Sequence, residues 1–322
     1  MKSTKYFMSK IIVYNCVIIG SGPAGYSAAI YSARSDLHPI LYTGYEEGGQ
    51  LTTSAEVDNY PGFTKGVTGF QLMVNFKKQA ERFNTIIKEQ RIIKVDLLKE
   101  TGAIHSIYTE TGERIQSKGV IIATGATAKF LGLEREHSFI GNGVSTCVTC
   151  DGFFYRGKVV AVVGGGDSAL EESIFLSKIC KKVYLIVRKG KLRASSTMAH
   201  RANNILNIEI LLHHEVKEIL GKKELEGILI LNKVTSKEII LPIKGLFIAI
   251  GHQPNTSIFN NQIQLDENGL ILTKKGGSHT NFPGVFVAGD VKDSTYRQAI
   301  TSASSGCIAA LDLEKYISNL NG

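Results

Sequence analysis

Residues 16–25 read Cys16-Val17-Ile18-Ile19-Gly20-Ser21-Gly22-Pro23-Ala24-Gly25. An apolar run of strand length enters a glycine turn, and small and apolar residues then follow at helical spacing as far as Arg34. In such a unit the first glycine makes the turn, the second admits a pyrophosphate, and the third lets the helix pack on the strand. The helix N-terminus offers N–H groups to the phosphates. The segment predicts a dinucleotide-binding unit, and the alternative is a tight turn that binds no ligand.

The same pattern returns in the middle of the chain. A strand-like run at residues 158–163 leads into Gly164-Gly165-Gly166-Asp167-Ser168-Ala169, with alanine in the third place. A helix is predicted over residues 170–179 and a strand over residues 182–187. Two such matches are not expected by chance, so they indicate an internal repeat at the level of the fold. We predict an α/β protein with two Rossmann-like dinucleotide-binding domains of the three-layer ββα type.

The segments between these units predict how the domains are connected. An amphipathic helix is predicted over residues 69–84, and antiparallel meanders over residues 92–117 and 208–242. Buried strands at residues 119–125 and 245–251 resemble each other, and a late strand ends in Gly289-Asp290 before a helix that opens at Tyr296. This late return predicts a discontinuous first domain, residues 1–124 and 252–322, with a second domain, residues 125–251, inserted at hinges near Gly125 and Gly251.

Charged residues near the two turns bear on the choice of cofactor. Thr43 ends the strand after the first turn, where a ribose-binding acid is usual, and Glu46 is the nearest acid, which leaves this ribose contact open. Asp290 could accept hydrogen bonds from sugar-alcohol hydroxyls. Cations follow the strand after the second turn, at Arg188, Lys189, Lys191 and Arg193. They favour the 2′-phosphate of NADPH over NADH, and the alternative is a solvated basic turn.

A close cysteine pair precedes the second turn, in the run Cys147-Val148-Thr149-Cys150-Asp151. Two thiols at this spacing can close and reopen a small disulfide ring, which suggests electron transfer to or from a disulfide. A thioredoxin-type site and half of a zinc site are the alternatives. Zinc needs four ligands and no second pair is evident, so we predict no metal site. Cys16, Cys180 and Cys307 are predicted to be buried small hydrophobes.

The bulk composition is that of a soluble globular protein. The chain has 322 residues, 43% of them hydrophobic and 20% charged, and no apolar run has the length of a membrane span. The net charge of +8 is spread out and Trp is absent, which argues against nucleic-acid binding. No small-residue cleavage site follows the N-terminal lysines, so we expect a cytoplasmic location. Residues before Ile11 are expected to be a short extension, with Met8 a candidate alternative start.

With these motifs in hand, the chain resembles the bacterial-type, low-molecular-weight thioredoxin reductases from about residue 13 to residue 316. Two motifs not yet mentioned add to the resemblance, Gly48-Gly49-Gln50-Leu51-Thr52-Thr53 and Tyr296-Arg297-Gln298-Ala299. The position of the cysteine pair in the second domain separates this family from glutathione-reductase-like enzymes. Those enzymes carry a wider-spaced pair soon after the first helix, where this chain has no cysteine.

The resemblance implies FAD on the first domain, NADPH on the second, a homodimer, and thioredoxin as the protein substrate. The residues that it assigns to FAD are Gly20, Ser21, Gly22, Pro23, Ala24, Gly25, Glu46, Gly49, Gln50, Leu51, Thr52, Asn59, Gly289, Asp290, Arg297, Gln298 and Ala299. The residues that it assigns to NADPH are Gly164, Gly166, Asp167, Ser168, Arg188, Lys189 and Arg193. One departure is that the family's His-Arg-Arg-x-x-x-Arg run begins here with Val187-Arg188-Lys189. Lysine keeps the charge but loses the bidentate fork of arginine.

The resemblance also implies roles for the redox centre. Cys150 is expected to face the flavin, Cys147 to attack the thioredoxin disulfide, and Asp151 to transfer the proton. The hypothesis is a thioredoxin-disulfide reductase in which electrons pass from NADPH through FAD and the cysteine pair to thioredoxin, with domain rotation between two states. The alternatives are a related flavoenzyme that reduces a small-molecule disulfide, a non-catalytic redox sensor, and a structural metal site.

Overall fold

The computed structural model describes residues 12–54, 56–259 and 261–321. The chain divides into two compact units, which we call unit 1 and unit 2. Unit 1 comprises Met1–Glu56, Lys65–Thr127 and Gln253–Gly322, and unit 2 comprises Val57–Thr64 and Ala128–His252. The predicted N-terminal extension with Met8 lies outside the described residues. The domain boundaries inferred from the sequence, after residues 124 and 251, stay predictions.

Unit 1 is built on a parallel sheet in the order β19-β8-β2-β3-β4. Its strands are β2 (Val17–Ile19), β3 (Ile40–Tyr42), β4 (Ile86–Lys88), β8 (Val120–Ile122) and β19 (Val285–Val287). The helices of unit 1 are α1 (Pro23–Arg34), α2 (Gly69–Arg82) and α6 (Ala299–Asn321). Strands β2, β3, β8 and β19 are buried throughout, as parallel strands covered on both faces are.

A second sheet covers the other face of the parallel sheet in unit 1. It has the order β1-β7-β6-β5, formed by β1 (Val13–Tyr14), β5 (Ile92–Asp96), β6 (His105–Thr109) and β7 (Arg114–Ser117). Ile18 and Leu41 pack with the helices in one core cluster, whereas Val17 and Ile107 belong to a second cluster. Two apolar cores therefore lie on opposite faces of the parallel sheet, which confirms the predicted three-layer ββα architecture.

Unit 2 repeats this plan with a parallel sheet in the order β10-β17-β11-β12-β13. The strands are β10 (Val144–Ser145), β11 (Val159–Val163), β12 (Lys182–Val187), β13 (Ile208–Leu212) and β17 (Gly245–Ile248). Its longer helices are α4 (Asp167–Ser177) and α5 (Ser196–Asn203). An antiparallel sheet is formed by β14 (His214–Leu220), β15 (Gly227–Asn232) and β16 (Glu238–Leu241).

The prediction that β13 begins the second meander was wrong. Val183 of β12 pairs in parallel with Ile208 of β13, so β13 belongs to the parallel sheet and the antiparallel sheet starts at β14. The physical reason is helix α5, which the sequence analysis did not predict. A crossover helix returns the chain to the same edge of the sheet, so the next strand must run parallel to the previous one.

Smaller differences concern the ends of elements. The segment Gly49–Thr53, part of the second family motif, is a 3-10 helix. Helix α4 starts at Asp167 instead of residue 170, and α6 starts at Ala299 instead of Tyr296. Cys16 and Cys180 are buried as predicted, but Cys307, on α6, is only half-buried.

Short elements complete the chain. Strands β9 (Ala126–Ala128) and β18 (His252–Pro254) pair with each other where the chain passes between the units. Helix α3 (Val148–Asp151) carries the second cysteine of the pair. Further 3-10 helices lie at Glu136–Phe139, Gly152–Tyr155, Ser257–Phe259 and Lys274–Gly276. Among the residues that the structure describes, no helix combines the length and the apolar character that a bilayer crossing requires.

Candidate functional site

The first glycine turn joins β2 to α1 in unit 1. Gly20 has a φ of 112°, and a side chain there would collide with the carbonyl oxygen of Ala123. A side chain at Gly25 would collide with the carbonyl oxygen of Gly20. At Gly22, the residue before α1, a Cβ would meet no described atom within 4 Å. Two glycines therefore allow close backbone packing, whereas the middle one faces open space beside the helix N-terminus.

A loop is held against this turn by Ser21. The Ser21 hydroxyl donates to the Thr43 carbonyl oxygen at 3.1 Å and accepts from the Gly48 N–H at 2.9 Å. A Cβ at Gly49 would lie 3.4 Å from the Gly22 Cα, so the backbone of the 3-10 helix approaches the turn closely. The structure thus brings the predicted residues Gly49, Gln50, Leu51 and Thr52 to the first glycine turn.

The acids after β3 differ in their surroundings. Glu47 accepts a hydrogen bond from the Tyr26 hydroxyl at 3.1 Å and forms an ion pair with Lys77. Glu46, which was predicted to contact the cofactor, is exposed, and its backbone oxygen accepts from the Gly49 N–H at 2.9 Å. Both acids are exposed, but the carboxylate of Glu47 is paired with Tyr26 and Lys77 of unit 1.

The late Gly-Asp motif lies against the same turn. A Cβ at Gly289 would lie 3.0 Å from the Ala24 Cβ, and the Gly289 N–H donates to the Ser305 hydroxyl at 2.8 Å. The Ser302 hydroxyl donates to Oδ1 of Asp290 at 2.9 Å. Burial raises the pKa of Asp290, and the hydrogen bond from Ser302 lowers it in part. The start of α6 therefore orients a largely buried carboxylate beside the start of α1.

Three predicted residues precede or begin α6. Arg297 has a φ of 46°, in the left-handed region, and Ala299 is the first residue of the helix. The Gln298 amide donates to the Arg297 carbonyl oxygen at 3.0 Å, and its N–H donates to the Thr301 hydroxyl at 3.3 Å. Asn59, by contrast, falls in the segment 57–64, which belongs to unit 2, whereas the other predicted flavin contacts lie in unit 1.

These features of unit 1 fit an adenine dinucleotide. The open space at Gly22 and the N–H groups of the first turn of α1 suit a pyrophosphate. The carboxylate of Asp290 is an acceptor for hydroxyl groups, and Gly49 brings additional backbone to the same place. The residues that come together, drawn from both ends of the chain, therefore have the chemistry that a dinucleotide site requires.

The second glycine turn, between β11 and α4, has the same construction. A side chain at Gly164 would collide with the Ala249 carbonyl oxygen. A Cβ at Gly166 would meet none of the described atoms within 4 Å. Ala169, in the third place, is fully buried and packs toward Gly164. The open position again lies at the start of a helix, so unit 2 also fits a dinucleotide phosphate.

The basic segment after β12 is anchored to this turn. The N–H groups of Arg193 and Ala194 donate to the Gly165 carbonyl oxygen at 2.6 and 3.1 Å. Asp167 accepts from the backbone N–H of Ser195 at 3.0 Å and from its hydroxyl at 2.9 Å, and these hydrogen bonds lower the pKa of Asp167. The anchoring holds the exposed residues Arg188, Lys189 and Arg193 near the second glycine turn.

Asp167 and Ser168, which the resemblance assigns together to NADPH, have different surroundings in the structure. The Asp167 carboxylate binds Ser195, whereas Ser168 is exposed on the first turn of α4. Ser195 was not singled out from the sequence. The signal that could have found it is its place in a Ser-Ser-Thr run after the basic segment, which is typical of a helix N-cap; its hydroxyl accepts from the Met198 N–H.

The cysteine pair forms a disulfide in unit 2, with Cα atoms of Cys147 and Cys150 5.3 Å apart. Strand β10 delivers the pair, and the Cys147 N–H donates to the Ser145 hydroxyl at 3.0 Å. Val148 is buried against α4 and β11, which fixes the short helix α3 on the unit 2 core. Both cysteines are half-buried. The disulfide is therefore held rigidly from one side and remains partly accessible.

Asp151 follows the pair directly, and its N–H donates to the Cys147 carbonyl oxygen at 3.1 Å. Burial raises the pKa of the Asp151 carboxyl, and the Ser145 hydroxyl opposes this shift. A carboxyl group with a raised pKa next to a thiol pair is suited to hold and transfer a proton. Ser145, which contacts both Cys147 and Asp151, was missed in the sequence analysis and carries no motif signal.

Two exposed aromatic side chains lie next to this centre. Phe153 is 65% exposed and Phe154 is 36% exposed, in the 3-10 helix that follows α3. Gly152, which lies in the chain between the cysteine pair and Phe153, is buried. A Cβ at Gly152 would lie 3.2 Å from Cδ2 of Leu176. The chain is thus packed tightly at Gly152 and presents apolar rings to solvent immediately afterwards.

Comparison with known proteins places this geometry in a family. Residues 14–306 match the pyridine nucleotide-disulphide oxidoreductase family. The thioredoxin reductase of Debaryomyces hansenii is 47% identical over 316 residues, which cover 96% of this chain and 98% of that protein. The thioredoxin reductase of Coxiella burnetii is 47% identical over 330 residues, covering 98% of this chain and 99% of that protein.

A solved structure agrees with these relatives. The thioredoxin reductase from Giardia duodenalis is 36% identical, and the match covers 94% of this chain and 98% of that one with a TM-score of 0.89. Membership of this family implies a flavin and a pyridine nucleotide as cofactors. With its two glycine turns and its disulfide in unit 2, the chain belongs to the pyridine nucleotide-disulphide oxidoreductase family, among the low-molecular-weight thioredoxin reductases.

Proposed function

We propose that this protein is a thioredoxin-disulfide reductase that uses FAD and NADPH. The observation that carries the proposal is the Cys147–Cys150 disulfide, held by Ser145 and the unit 2 core shortly before a second dinucleotide turn. The relatives from D. hansenii and C. burnetii, which match over nearly the full chain, are named thioredoxin reductases. Together these findings favour a protein disulfide as the final electron acceptor.

We assign FAD to unit 1 and NADPH to unit 2. The first assignment is supported by the residues that surround one open turn, namely Gly22, Asp290 and the 3-10 helix at Gly49–Thr53. The basic segment anchored at Gly165 supports the second assignment, because cations after this strand accommodate a 2′-phosphate. When bound, the two cofactors supply two electrons and the associated hydride chemistry that reduce the disulfide.

The reduced pair then carries out thiol–disulfide exchange. The Cys147 thiolate attacks one sulfur of the thioredoxin disulfide, which forms a mixed disulfide and releases one thioredoxin thiolate. The Cys150 thiolate attacks the Cys147 sulfur, which restores the disulfide and releases the second thioredoxin thiolate. Two electrons leave the pair and two protons complete the thioredoxin dithiol. Asp151, with its raised pKa, transfers a proton at this centre.

The surface beside the pair suits a protein substrate better than a small-molecule disulfide. The exposed rings of Phe153 and Phe154 offer an apolar contact area next to the thiols. Aromatic residues are enriched in the energetically important parts of protein interfaces. A small disulfide would make little use of this area, so it favours thioredoxin over the small-molecule alternative.

Three further features belong to the proposal. The thiols must meet a cofactor in one state and an outside protein in another, so unit rotation about the segments near Gly125 and Gly251 fits the chemistry. Exposed apolar residues of α6, Ile300, Ile308 and Leu311, recur near helical spacing and support a homodimer. A cytoplasmic location would keep the reduced pair in a reducing compartment.

The decisive experiment measures NADPH and NADH oxidation by the purified protein with oxidised thioredoxin. We expect a flavin absorbance spectrum, rapid oxidation of NADPH, and slower oxidation of NADH. A protein that binds both cofactors but oxidises negligible NADPH with thioredoxin present would be a redox sensor, and the proposal would be wrong.

The Cys147→Ser variant sharpens this test. Because Cys147 supplies the attacking thiolate, we expect thioredoxin reduction to fall to background while NADPH still reduces the bound flavin. The matched control is Cys307→Ser, since Cys307 is a half-buried cysteine in unit 1, and it should turn over normally. Normal thioredoxin turnover by Cys147→Ser would contradict the assignment.

A further inference from the structure

His213 joins β13 to β14 in unit 2 in an unusual backbone conformation. Its φ is 60°, in the left-handed region that few non-glycine residues adopt, histidine, asparagine and aspartate more often than the others. The side chain is exposed, so core packing does not select an imidazole here. Residues held in this conformation cost folding free energy and are concentrated at functional sites. Because the exposed His38 of unit 1 shares this conformation, the surroundings of the His213 ring decide its role.

The imidazole rests against the basic segment that follows β12. A Cβ at Gly190 would collide with Cε1 of the His213 ring and would lie 2.5 Å from its Nε2. The backbone N–H of His213 donates to the Lys189 carbonyl oxygen at 3.2 Å, and its carbonyl oxygen accepts from the Lys233 N–H at 2.8 Å. Glycine at residue 190 thus makes room for the ring, and two backbone hydrogen bonds hold His213 beside Lys189.

Sheet topology explains why this ring lies at the proposed nucleotide site. Strands β12 and β13 are parallel neighbours, with Val187 opposite Leu212, so their carboxyl ends meet at one edge. Nucleotides bind outside the carboxyl ends of such strands. Val187 itself is buried and apolar, so the end of β12 provides cations but no neutral hydrogen-bonding side chain. His213 follows the adjacent strand end directly.

The charge of this edge suits an anion. Residues 188–193 contain two arginines and two lysines and no acid. The nearby Glu215 carboxylate is paired with Lys233 at 3.1 Å, and this pairing, with smaller contributions from other cations including Arg188, lowers its pKa. The segment is attached to the glycine turn through the Gly165 carbonyl oxygen. An imidazole N–H here would donate to a phosphate oxygen in a field of positive charge.

We propose that His213 is a specificity-determining residue that donates a hydrogen bond to the 2′-phosphate of NADPH. The proposal rests on the proposed use of NADPH by unit 2. The proposed hydrogen bond to the phosphate comes from the residue that follows β13. The last residue of β12, Val187, is buried and apolar and cannot donate it. The left-handed backbone and the glycine at residue 190 are then the local requirements for placing the ring.

The test measures binding without turnover. Isothermal titration calorimetry of the purified full-length protein compares adenosine 2′,5′-bisphosphate, which carries the 2′-phosphate, with adenosine 5′-monophosphate, which lacks it. For His213→Asn we expect binding of the bisphosphate to weaken about tenfold, as for one lost hydrogen bond to a charged group, while binding of the monophosphate changes little. Asparagine adopts the left-handed region readily, so the variant should fold, and its thermal midpoint checks this.

The control is His38→Asn, because His38 is also exposed and has a φ of 48°, but lies in unit 1. It should leave both affinities unchanged. Equal weakening of both ligands in His213→Asn would mean contact with the adenosine part and would overturn the proposal. An unchanged preference for the bisphosphate would overturn it as well. A wild-type protein without that preference would overturn the use of NADPH itself, which distinguishes the two failures.

Discussion

Asp151 shows how much depends on the surroundings of a single residue. Its carboxyl group follows Cys150 directly, is partly withdrawn from water, and has a raised pKa as a result. Ser145 counters the shift and also holds the Cys147 backbone. An ordinary aspartate would be ionised at neutral pH and would be a poor proton donor. Burial keeps its protonated form present at higher pH than usual.

The Asp151→Asn variant should therefore turn over thioredoxin more slowly and should not show the decline of kcat at high pH. We expect thioredoxin turnover to fall about a hundredfold, because a positioned proton donor is removed. In the wild-type protein the protonated form of Asp151 is lost as pH rises through its raised pKa, so the proton-dependent step slows with increasing pH. The variant should lack this decline in a plot of kcat against pH.

A control separates this effect from a general change in charge. Glu171 is exposed on α4 of the same unit, so Glu171→Gln removes one carboxylate without touching the redox centre. Its kcat and pH profile should match the wild-type values. Wild-type turnover by Asp151→Asn at every pH would rule out a role for this carboxyl in proton transfer.

The two strand-turn-helix elements use their glycines in the same way. In each turn the first glycine backs onto a carbonyl oxygen at the end of a neighbouring strand, that of Ala123 in unit 1 and that of Ala249 in unit 2. The middle glycine of each turn faces open space among the described atoms. In each motif, therefore, the fold requires the first glycine, whereas the middle glycine leaves space that a ligand can occupy.

This division predicts opposite outcomes for two substitutions in α1 and its turn. Gly22→Ala should fold with nearly unchanged stability, because its φ of −66° suits alanine and the space is open, but it should lose bound flavin. Gly25→Ala should lower the free energy of unfolding by about 1–3 kcal/mol, because its Cβ collides with the Gly20 carbonyl oxygen. Thermal unfolding and flavin absorbance after purification measure the two effects.

Gly166→Ala provides the control in the other element. It introduces the same methyl group at the matching open position of unit 2, so flavin content should stay at the wild-type level while binding of NADP⁺ weakens. Full flavin content in Gly22→Ala would show that the open space is not a phosphate site.

At the scale of the whole molecule, Asn255 organises the segments through which the chain passes between the units. Its side-chain amide donates to the Thr124 carbonyl oxygen at 2.8 Å, and its Oδ1 accepts from the Thr127 hydroxyl at 3.0 Å. Its backbone carbonyl oxygen accepts from the Thr124 hydroxyl at 2.8 Å, and its N–H donates to the Gly125 carbonyl oxygen at 3.0 Å. One residue thus ties both crossing segments together on the unit 1 side.

The Asn255→Ala variant should uncouple these segments. We expect the free energy of unfolding to fall by about 1–2 kcal/mol through the loss of two side-chain hydrogen bonds, and kcat with thioredoxin to fall while flavin content stays normal. If rotation requires the two segments to move as one, the slowed step lies between flavin reduction and thioredoxin reduction. Stopped-flow absorbance of the flavin resolves these steps.

Thr127→Val is the matched control for that variant. It removes the single hydrogen bond from Thr127 to Oδ1 of Asn255 and leaves the bond to Thr124 in place. We expect a smaller loss of stability and a turnover close to that of the wild-type protein. A normal kcat in Asn255→Ala, despite lower stability, would place the hinge elsewhere.

Much of the fold and the candidate site could be predicted because the relevant constraints are local. A strand, a turn with glycines at fixed spacing, and a helix must follow one another within about twenty residues, so the pattern is visible in the chain itself. The same is true of the Cys147–Cys150 disulfide, whose partners are three residues apart. The sequence by itself therefore determined the two dinucleotide units, the redox pair, and the family.

Only the tertiary structure decided which residues from distant segments meet. The parallel pairing of β13 depends on helix α5. The position of the basic segment depends on hydrogen bonds to Gly165 and Asp167. The ring of His213 lies against Gly190. Each of these contacts joins groups more than twenty residues apart, and its energy comes from packing and hydrogen bonds that no local pattern encodes. The physical reason is that local sequence spacing specifies turns and helices, whereas contacts between distant strand ends form only when the sheet assembles.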